Sequence, residues 1–366
     1  MKLNRAYKFR IYPTKGQEEL ILKTFGCVRF VYNKMLNDKI QHYEQYKETI
    51  TITPAKYKLE YDWLREVDSY ALCNAQMNLE TAFKNFFRSK NVGFPKFKSK
   101  KNSKQSYTTS NVNNVIRVLD DSHINLPKLK HVKCKIHRPI PVVDKIKSAT
   151  ISKTASGKYY IALLTEYEAE TPLIKLDKLN SLGLDYSSSN FYVDSQGNEA
   201  NYPKFYRNAQ RKLSIEQRKL AKMVQGSNNY NKQKIKIAKL HEHVSNQRID
   251  FLHKLSTDLA NSYDVICVED INLKNMSQCL NLGKSTMDNG FGMFRTFLEY
   301  KLNNQGKKLV KIDKWFPSSK MCRFCGTINT ELKLSDRMWY CDCGHIINRD
   351  HNAAINILNQ GLLLVD

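Results

Sequence analysis

No run of apolar residues in this 366-residue chain is long enough to cross a bilayer, and no apolar signal core follows Met1-Lys2-Leu3-Asn4-Arg5. The expectation is a soluble, cytoplasmic protein with no membrane partner. Internal repeats and low-complexity tracts are absent too, so neither a repeat array nor a long biased linker is expected. Nor do the cysteines make a disulfide framework: Cys27, Cys73, Cys134, Cys267 and Cys279 are scattered, and only four others lie together. That fits a reducing compartment. Acid is in deficit, with 35 Asp and Glu against 59 Lys and Arg, leaving a net charge of +24. Such an excess points to a polyanion, because basic side chains gain affinity by releasing counterions from phosphates. An acidic membrane surface is the competing partner.

The length allows two or three domains with sizeable cores. Tyr7-Lys8-Phe9-Arg10-Ile11-Tyr12 alternates apolar and charged residues and reads as a strand closed by Pro13. From Gly16 the spacing turns helical, with Leu20, Phe25, Val28, Val31 and Tyr32 on one face. A further helix is predicted from Ser69 to Phe87, burying Leu72, Met77, Leu79, Ala82, Phe83 and Phe86. The breaker-rich stretch from Gly93 to Lys101 then interleaves Phe94 and Phe97 with Lys96 and Lys98. That mixture suits stacking on bases and pairing with phosphates; a plain solvated loop is the alternative. Strand-like pieces at Val115–Val118, Val132–Ile136 and Tyr159–Leu164 complete, with the first strand, a small β-barrel interrupted by helices. Farther on, a strand pair with a turn at Gly197 precedes a long helical hairpin from about 203 to 262, broken near Gly226. Its segment 204–240 holds eleven basic residues, among them Arg211, Lys212, Lys234 and Lys236, and one acid, Glu216. A solvated helix normally mixes signs to gain i,i+4 pairs, so this imbalance argues for a phosphate backbone lying against it.

Two constellations carry chemistry. Cys322-x2-Cys325, then fifteen residues, then Cys341-x-Cys343 sets four thiolates on two tight turns, the pattern of one structural zinc ion in a zinc ribbon. The second pair is one residue shorter than usual, so His345 is a possible substitute should Cys343 not reach. The other constellation is acidic. Asp185 ends the apolar run Ser181–Tyr186, Glu269 ends Val265-Ile266-Cys267-Val268, and Asp350 stands ahead of Asn352-Ala353-Ala354-Ile355. Acids fixed at strand ends can converge on divalent metal where a flexible acid could not. Each has a plainer alternative: Asp185 as a turn residue, Asp270 rather than Glu269 as the functional acid, Asp350 as a helix cap. Strand-acid, strand-acid, helix-start-acid in the order Asp, Glu, Asp matches the ribonuclease-H-like arrangement of RuvC nucleases.

With these residues go Ala6–Pro13, Arg29–Asn33, Asn78–Phe87, Gly93–Phe97, Gln247–Ser256, Trp315–Lys320 and Asn348–Ala354. In them the sequence resembles TnpB, the transposon-encoded OrfB family related to type V CRISPR nucleases, over nearly its whole length. The resemblance implies an α/β multidomain protein: a wedge-like barrel (1–15 and 95–178) with an inserted helical recognition domain (16–94), a RuvC domain (179–319 and 345–366) and a zinc ribbon (320–344). It implies an RNA-guided DNA endonuclease, bound as a monomer to guide RNA derived from the transposon end and cutting a double-stranded DNA target. Asp185, Glu269 and Asp350 would hold two magnesium ions. Ser69, Cys73 and Asn74, with the Thr51–Thr53 loop and Thr109–Asn111, would read a short motif beside the target; a small core residue is the plainer reading of Cys73. Two departures stand out, Tyr186-Ser187-Ser188-Ser189 after the first acid and the short Cys341-Asp342-Cys343 knuckle. Rival functions are a transposase that breaks and joins DNA, a guided binder that represses without cutting, and a zinc-ribbon RNA-binding protein.

Overall fold

A computed structural model of the chain describes residues 2–101, 105–168, 175–272, 288–333 and 335–365. Cys279 lies outside them. Two compact units divide the chain, residues 1–169 and 170–366.

The first unit is built on the alternation in strand β1 (Lys2–Tyr12), which turns Tyr7, Phe9 and Ile11 inward and leaves Lys8, Arg10 and Tyr12 outside. Thr14 then caps helix α1 (Lys15–Tyr46), its hydroxyl accepting from Gln17 N while the Gln17 side chain accepts from Thr14 N. After the short α2 (Pro54–Glu60) comes α3 (Ser69–Arg88), capped by Asp68. Strands β2 (Gln105–Ser110), β3 (Arg117–Asp120), β4 (His123–Leu126), β5 (Lys130–Lys135), β6 (Lys145–Lys153) and β7 (Tyr159–Glu168) follow. The resulting sheet runs β2-β6-β7-β1-β5-β4-β3. Among the described residues no pairing joins β2 to β3. Phe25 and Val28 of α1 and Leu72 and Leu79 of α3 bury against Phe9, Ile11, Ile151 and Ile161 in one core. Met77 does not join that core as expected; it is solvent-exposed.

In the second unit, β8 (Ser181–Ser187) and β9 (Phe191–Asp194) form an antiparallel hairpin. Helices α4 (Phe205–Ala221) and α5 (Asn228–Ser262) form the basic hairpin, and β10 (Val265–Glu269), α6 (Phe291–Asn304) and β11 (Lys308–Ile312) follow. β10 lies between β8 and β11, parallel to both, in a sheet ordered β11-β10-β8-β9. A separate two-stranded ladder pairs β12 (Met338–Tyr340) with β13 (Ile346–Asn348), which runs straight into α7 (Arg349–Leu362).

Side-chain alternation sorts the two faces of that sheet. Leu182, Leu184, Ile266 and Val268 pack with Leu252 of α5 and Phe294 and Leu298 of α6. Val265 and Cys267 face Ile357 of α7. Gly183 sits on the α7 face as well, where a Cβ would lie 2.1 Å from the Ala354 carbonyl oxygen, and a Cβ on Gly361 would lie 2.3 Å from Cys267 Sγ. Two glycines, one on a strand and one on the helix, thus let backbones approach closely.

Candidate active site

The strand register does the first part of the positioning. Val268 pairs with Leu184 in the parallel β8–β10 ladder, so the next step along both strands sets Asp185 beside Glu269. Alternation puts both on the α7 face, since Gly183 and Cys267, two residues earlier in each strand, face that helix. α7 then supplies Asp350 in its first turn. The plainer reading of Asp350 as the helix cap is not what the fold uses: Asn348 is the cap, its side chain accepting from His351 N at 3.0 Å.

Burial first, then the charges of Glu269 and Asp350, raise the Asp185 carboxyl well above the ordinary carboxylate range, with Arg349 pulling the other way. Burial likewise raises Glu269, opposed by a hydrogen bond from the Ser318 hydroxyl. Ser318 is itself fixed by α7, because Asn356 Nδ2 donates to its carbonyl at 2.8 Å and Asn352 and Asn356 each donate to Met321 O at 2.7 Å. Asp350 is gripped on both oxygens, Oδ2 by Arg337 Nη1 at 2.8 Å and Oδ1 by Arg349 Nε at 3.0 Å. Asp270 is far more open, its carboxylate 3.3 Å from Arg295 Nη1 and its side chain 64% exposed. Three hard oxygen donors on one face are the chemistry magnesium selects. The carboxylates are less tightly gathered than the cysteines, which among the described residues form the group whose ligand atoms all lie within 4.8 Å of one another.

That group is Cys322, Cys325, Cys341 and Cys343. Cys322 Sγ is 3.7 Å from Cys343 Sγ and Cys325 Sγ is 3.4 Å from Cys341 Sγ. Zinc–sulfur bonds of about 2.3 Å give a tetrahedral edge of about 3.8 Å, so the four sulfurs fit a zinc ion. Cys343 therefore reaches, and His345 lies alongside, its Nδ1 3.4 Å from Cys343 Sγ and its ring stacked on Phe324. Gly326 and Gly344 adopt positive φ after each pair, where a side chain would strain the knuckle. Thr327, through its hydroxyl and its backbone, holds the Cys325 thiol down to about 6. Trp339 and Ile347 close a small core over Cys322 and Cys341.

The basic residues fall into two groups. Arg211, Lys212 and Lys234 are exposed on α4 and α5, whereas Lys236 Nζ is 2.9 Å from the buried Glu216. In the first unit Lys96 is exposed, and Lys98 Nζ stands 4.0 Å over the Tyr32 ring. Ser69 and Cys73 are exposed on the first turns of α3, so Cys73 is not a core residue. Asn74 Nδ2 donates to Ser110 Oγ at 3.1 Å. Thr109 lies beneath that surface, buried and donating its hydroxyl to Asp68. Sequence reasoning missed Ser318, Arg337 and Asp288; Ser318 stands inside the Trp315–Lys320 stretch, a position that had no role attached.

Comparison with known proteins bears on the whole chain. A family model described as OrfB_IS605, probable transposase, matches residues 165–280. A Streptomyces pristinaespiralis protein named "Putative RNA-guided DNA endonuclease" is 35% identical over 99% of this chain and 90% of its own length. This chain belongs to the TnpB (OrfB) family. Another relative with that name, InsQ of Escherichia coli K12, is 32% identical over 99% of this TnpB-family chain and 93% of its own length. A second model, Cas12f1-like, TNB domain, matches residues 291–357, which include the four-cysteine group. A third, described as a helix-turn-helix domain, matches residues 1–48, within which β1 (Lys2–Tyr12) and one long helix, α1 (Lys15–Tyr46), are formed. Among solved structures, a Cas12f1–sgRNA–target DNA complex shares the fold, with a TM-score of 0.64 over 98% of this chain and 99% of its own at 11% identity.

Proposed function

We propose that this TnpB-family protein is an RNA-guided DNA endonuclease that hydrolyses phosphodiesters at a RuvC-type, ribonuclease-H-like site. The observation that carries the reading is the β8–β10 register, which sets Asp185 beside Glu269 on the face where α7 delivers Asp350. Its two relatives carry that activity in their names. When bound by these carboxylates, two magnesium ions would supply water activation and stabilisation of the leaving oxygen. The chain's own part is positioning: Ser318 orients Glu269, and Arg337 and Arg349 hold Asp350. Partial burial of Asp185 strengthens its hold on a cation.

The finer reading assigns guide RNA from the transposon end and a double-stranded DNA target, held by a monomer. Residues 1–15 and 95–178 make the wedge-like β domain, its sheet open between β2 and β3 among the described residues, 16–94 the recognition helices, 179–319 and 345–366 the nuclease and 320–344 the ribbon with one structural zinc. Base pairing supplies sequence specificity, and the start of α3, through Ser69, Cys73 and Asn74 with Thr109 supporting them, reads the flanking motif. Lys96 and Lys98 contact RNA or DNA backbone. The test is to sequence RNA that co-purifies with the full chain, then supply a matched plasmid with randomised flanks and magnesium. A discrete RNA, cleavage at matched sites and a flank preference that moves with Ser69 and Asn74 substitutions are expected. Absence of both RNA and cleavage would refute the proposal. Joined products would favour the transposase reading that the family model's description carries.

A further inference from the structure

Two grooves in the second unit share Arg207. One, a cavity of about 200 Å³ at the tip of the β8–β9 hairpin, is lined by Ser188, Ser189, Lys204 and Arg207. The other, about 550 Å³, follows α4 past Arg207, Arg211, Ile215 and Arg218. Steps of four, four and three residues put these four side chains on one stripe of the helix, spanning about 16 Å at 1.5 Å per residue.

The acids near this path are already committed elsewhere. Glu216, the lone acid of α4, is buried toward α5, where Gln233 Nε2 donates to it at 2.7 Å and Lys236 Nζ lies 2.9 Å away. Asp288, which borders the first groove, is 4% exposed. It accepts from Tyr206 N at 3.0 Å and Arg207 N at 3.4 Å, capping α4 in place of Lys204, whose side chain makes no cap. Arg248 Nη2, 3.4 Å away, balances its charge. Asp288 therefore fixes the turn that carries Lys204 and Arg207 and presents little free charge to an anion. Ile215, 43% exposed among the arginines, adds an apolar surface for a sugar or base.

We infer that the two grooves form one track for a single DNA strand, the strand being cut, leading along α4 to the serine turn three residues beyond Asp185. This rests on the endonuclease reading. One row of arginines, ending in a cavity with room for about one phosphate and its sugar, matches a single backbone and not a duplex. The serine turn, at the tip of the hairpin that holds Asp185, makes that backbone the substrate's and not the guide's.

Ile215 is uncharged and outside the metal site, so it can carry a probe. With benzoylphenylalanine at position 215 in the full chain bound to guide RNA and target, light should crosslink a DNA strand within about ten nucleotides of the cut. Crosslinks to the guide RNA, or none, overturn the track. A second measurement needs neither guide nor cleavage: binding of a fluorescent single-stranded DNA oligonucleotide to the full chain across a salt series. Arg211→Gln with Arg218→Gln should weaken binding about tenfold and reduce the salt slope by about 1.4, two phosphates at about 0.7 each. An unchanged slope overturns the inference. Failure of the parent protein to cleave would count against the endonuclease reading alone, because the slope is read without it.

Discussion

Arg337 Nη1 lies 2.8 Å from Asp350 Oδ2, so the segment that leads into the β12–β13 ladder beside the four-cysteine group holds the third carboxylate of the candidate site. The link is also covalent and backbone-bonded, since β13 continues into α7 and Arg349 N donates to Arg337 O at 2.9 Å. A metal held by the four cysteines would therefore bear on the geometry of an acid that is not its ligand.

Cys322→Ser or Cys341→Ser should lose the single zinc expected per chain and destabilise the C-terminal region, because thiolate ligation supplies folding energy there. Cleavage should fall with it through Asp350. His345→Ala should keep its zinc, as Cys343 completes the group. Metal analysis by mass spectrometry decides: a zinc-free parent protein with full activity would refute the ribbon.

Asp185→Ala, Glu269→Ala and Asp350→Ala should each abolish magnesium-dependent cleavage while leaving guide and target binding near the parent level, since each removes a metal ligand and no phosphate contact. Asp270→Ala should be mild, because that acid is open and paired with Arg295. Cleavage kept in Glu269→Ala and lost in Asp270→Ala would reverse the assignment.

Asp185 also predicts a pH dependence. Its folded-state pKa is raised, so below metal-binding conditions the native protein retains a proton that the unfolded chain releases near pH 3.9. Stability from this group is present below about pH 3.9 and is lost as pH rises through the folded value. In EDTA, Asp185→Asn should melt above the parent, by a margin that widens from about pH 5 to about pH 8. Equal melting temperatures at both ends would show that the carboxylate is not penalised.

Gly183→Ala changes no functional group, yet its methyl would meet the Ala354 carbonyl oxygen at 2.1 Å. Backbone must move, at a cost of about 3 kcal/mol by the measure of overpacked cores. α7 and Asp350 would shift relative to Asp185, so cleavage should drop more than the loss of folded protein explains. Calorimetry alongside turnover separates the two.

The acids and cysteines were legible because each sits in a local pattern: an apolar run ending in an acid, or thiols at knuckle spacing. The register that brings Asp185 to Glu269 was not, because β10 pairs with β8 across the whole helical hairpin. β2, with Tyr107 and Thr109 inward among Thr and Ser, lacks a strong apolar alternation, and β4 is only four residues long. β6 does alternate toward its buried Ala149 and Ile151, a signal present in the sequence but small beside its lysines and serines. Ser318 and Arg337 needed the fold, since nothing local to a serine or arginine says which carboxylate it will meet. Asn352 and Asn356, one turn apart on α7, show why polar residues recur in an otherwise apolar helix: they anchor the loop that holds Ser318.

Glu216, held down to about 2 chiefly by Gln233 and then Lys236, stays ionised across the physiological pH range. The stripe it would otherwise offset is arginine, which stays cationic at every physiological pH. A polyanion held along α4, as proposed above, would therefore be held with little regard to acidity, and ionic strength and rival nucleic acids are left as the agents that would loosen it.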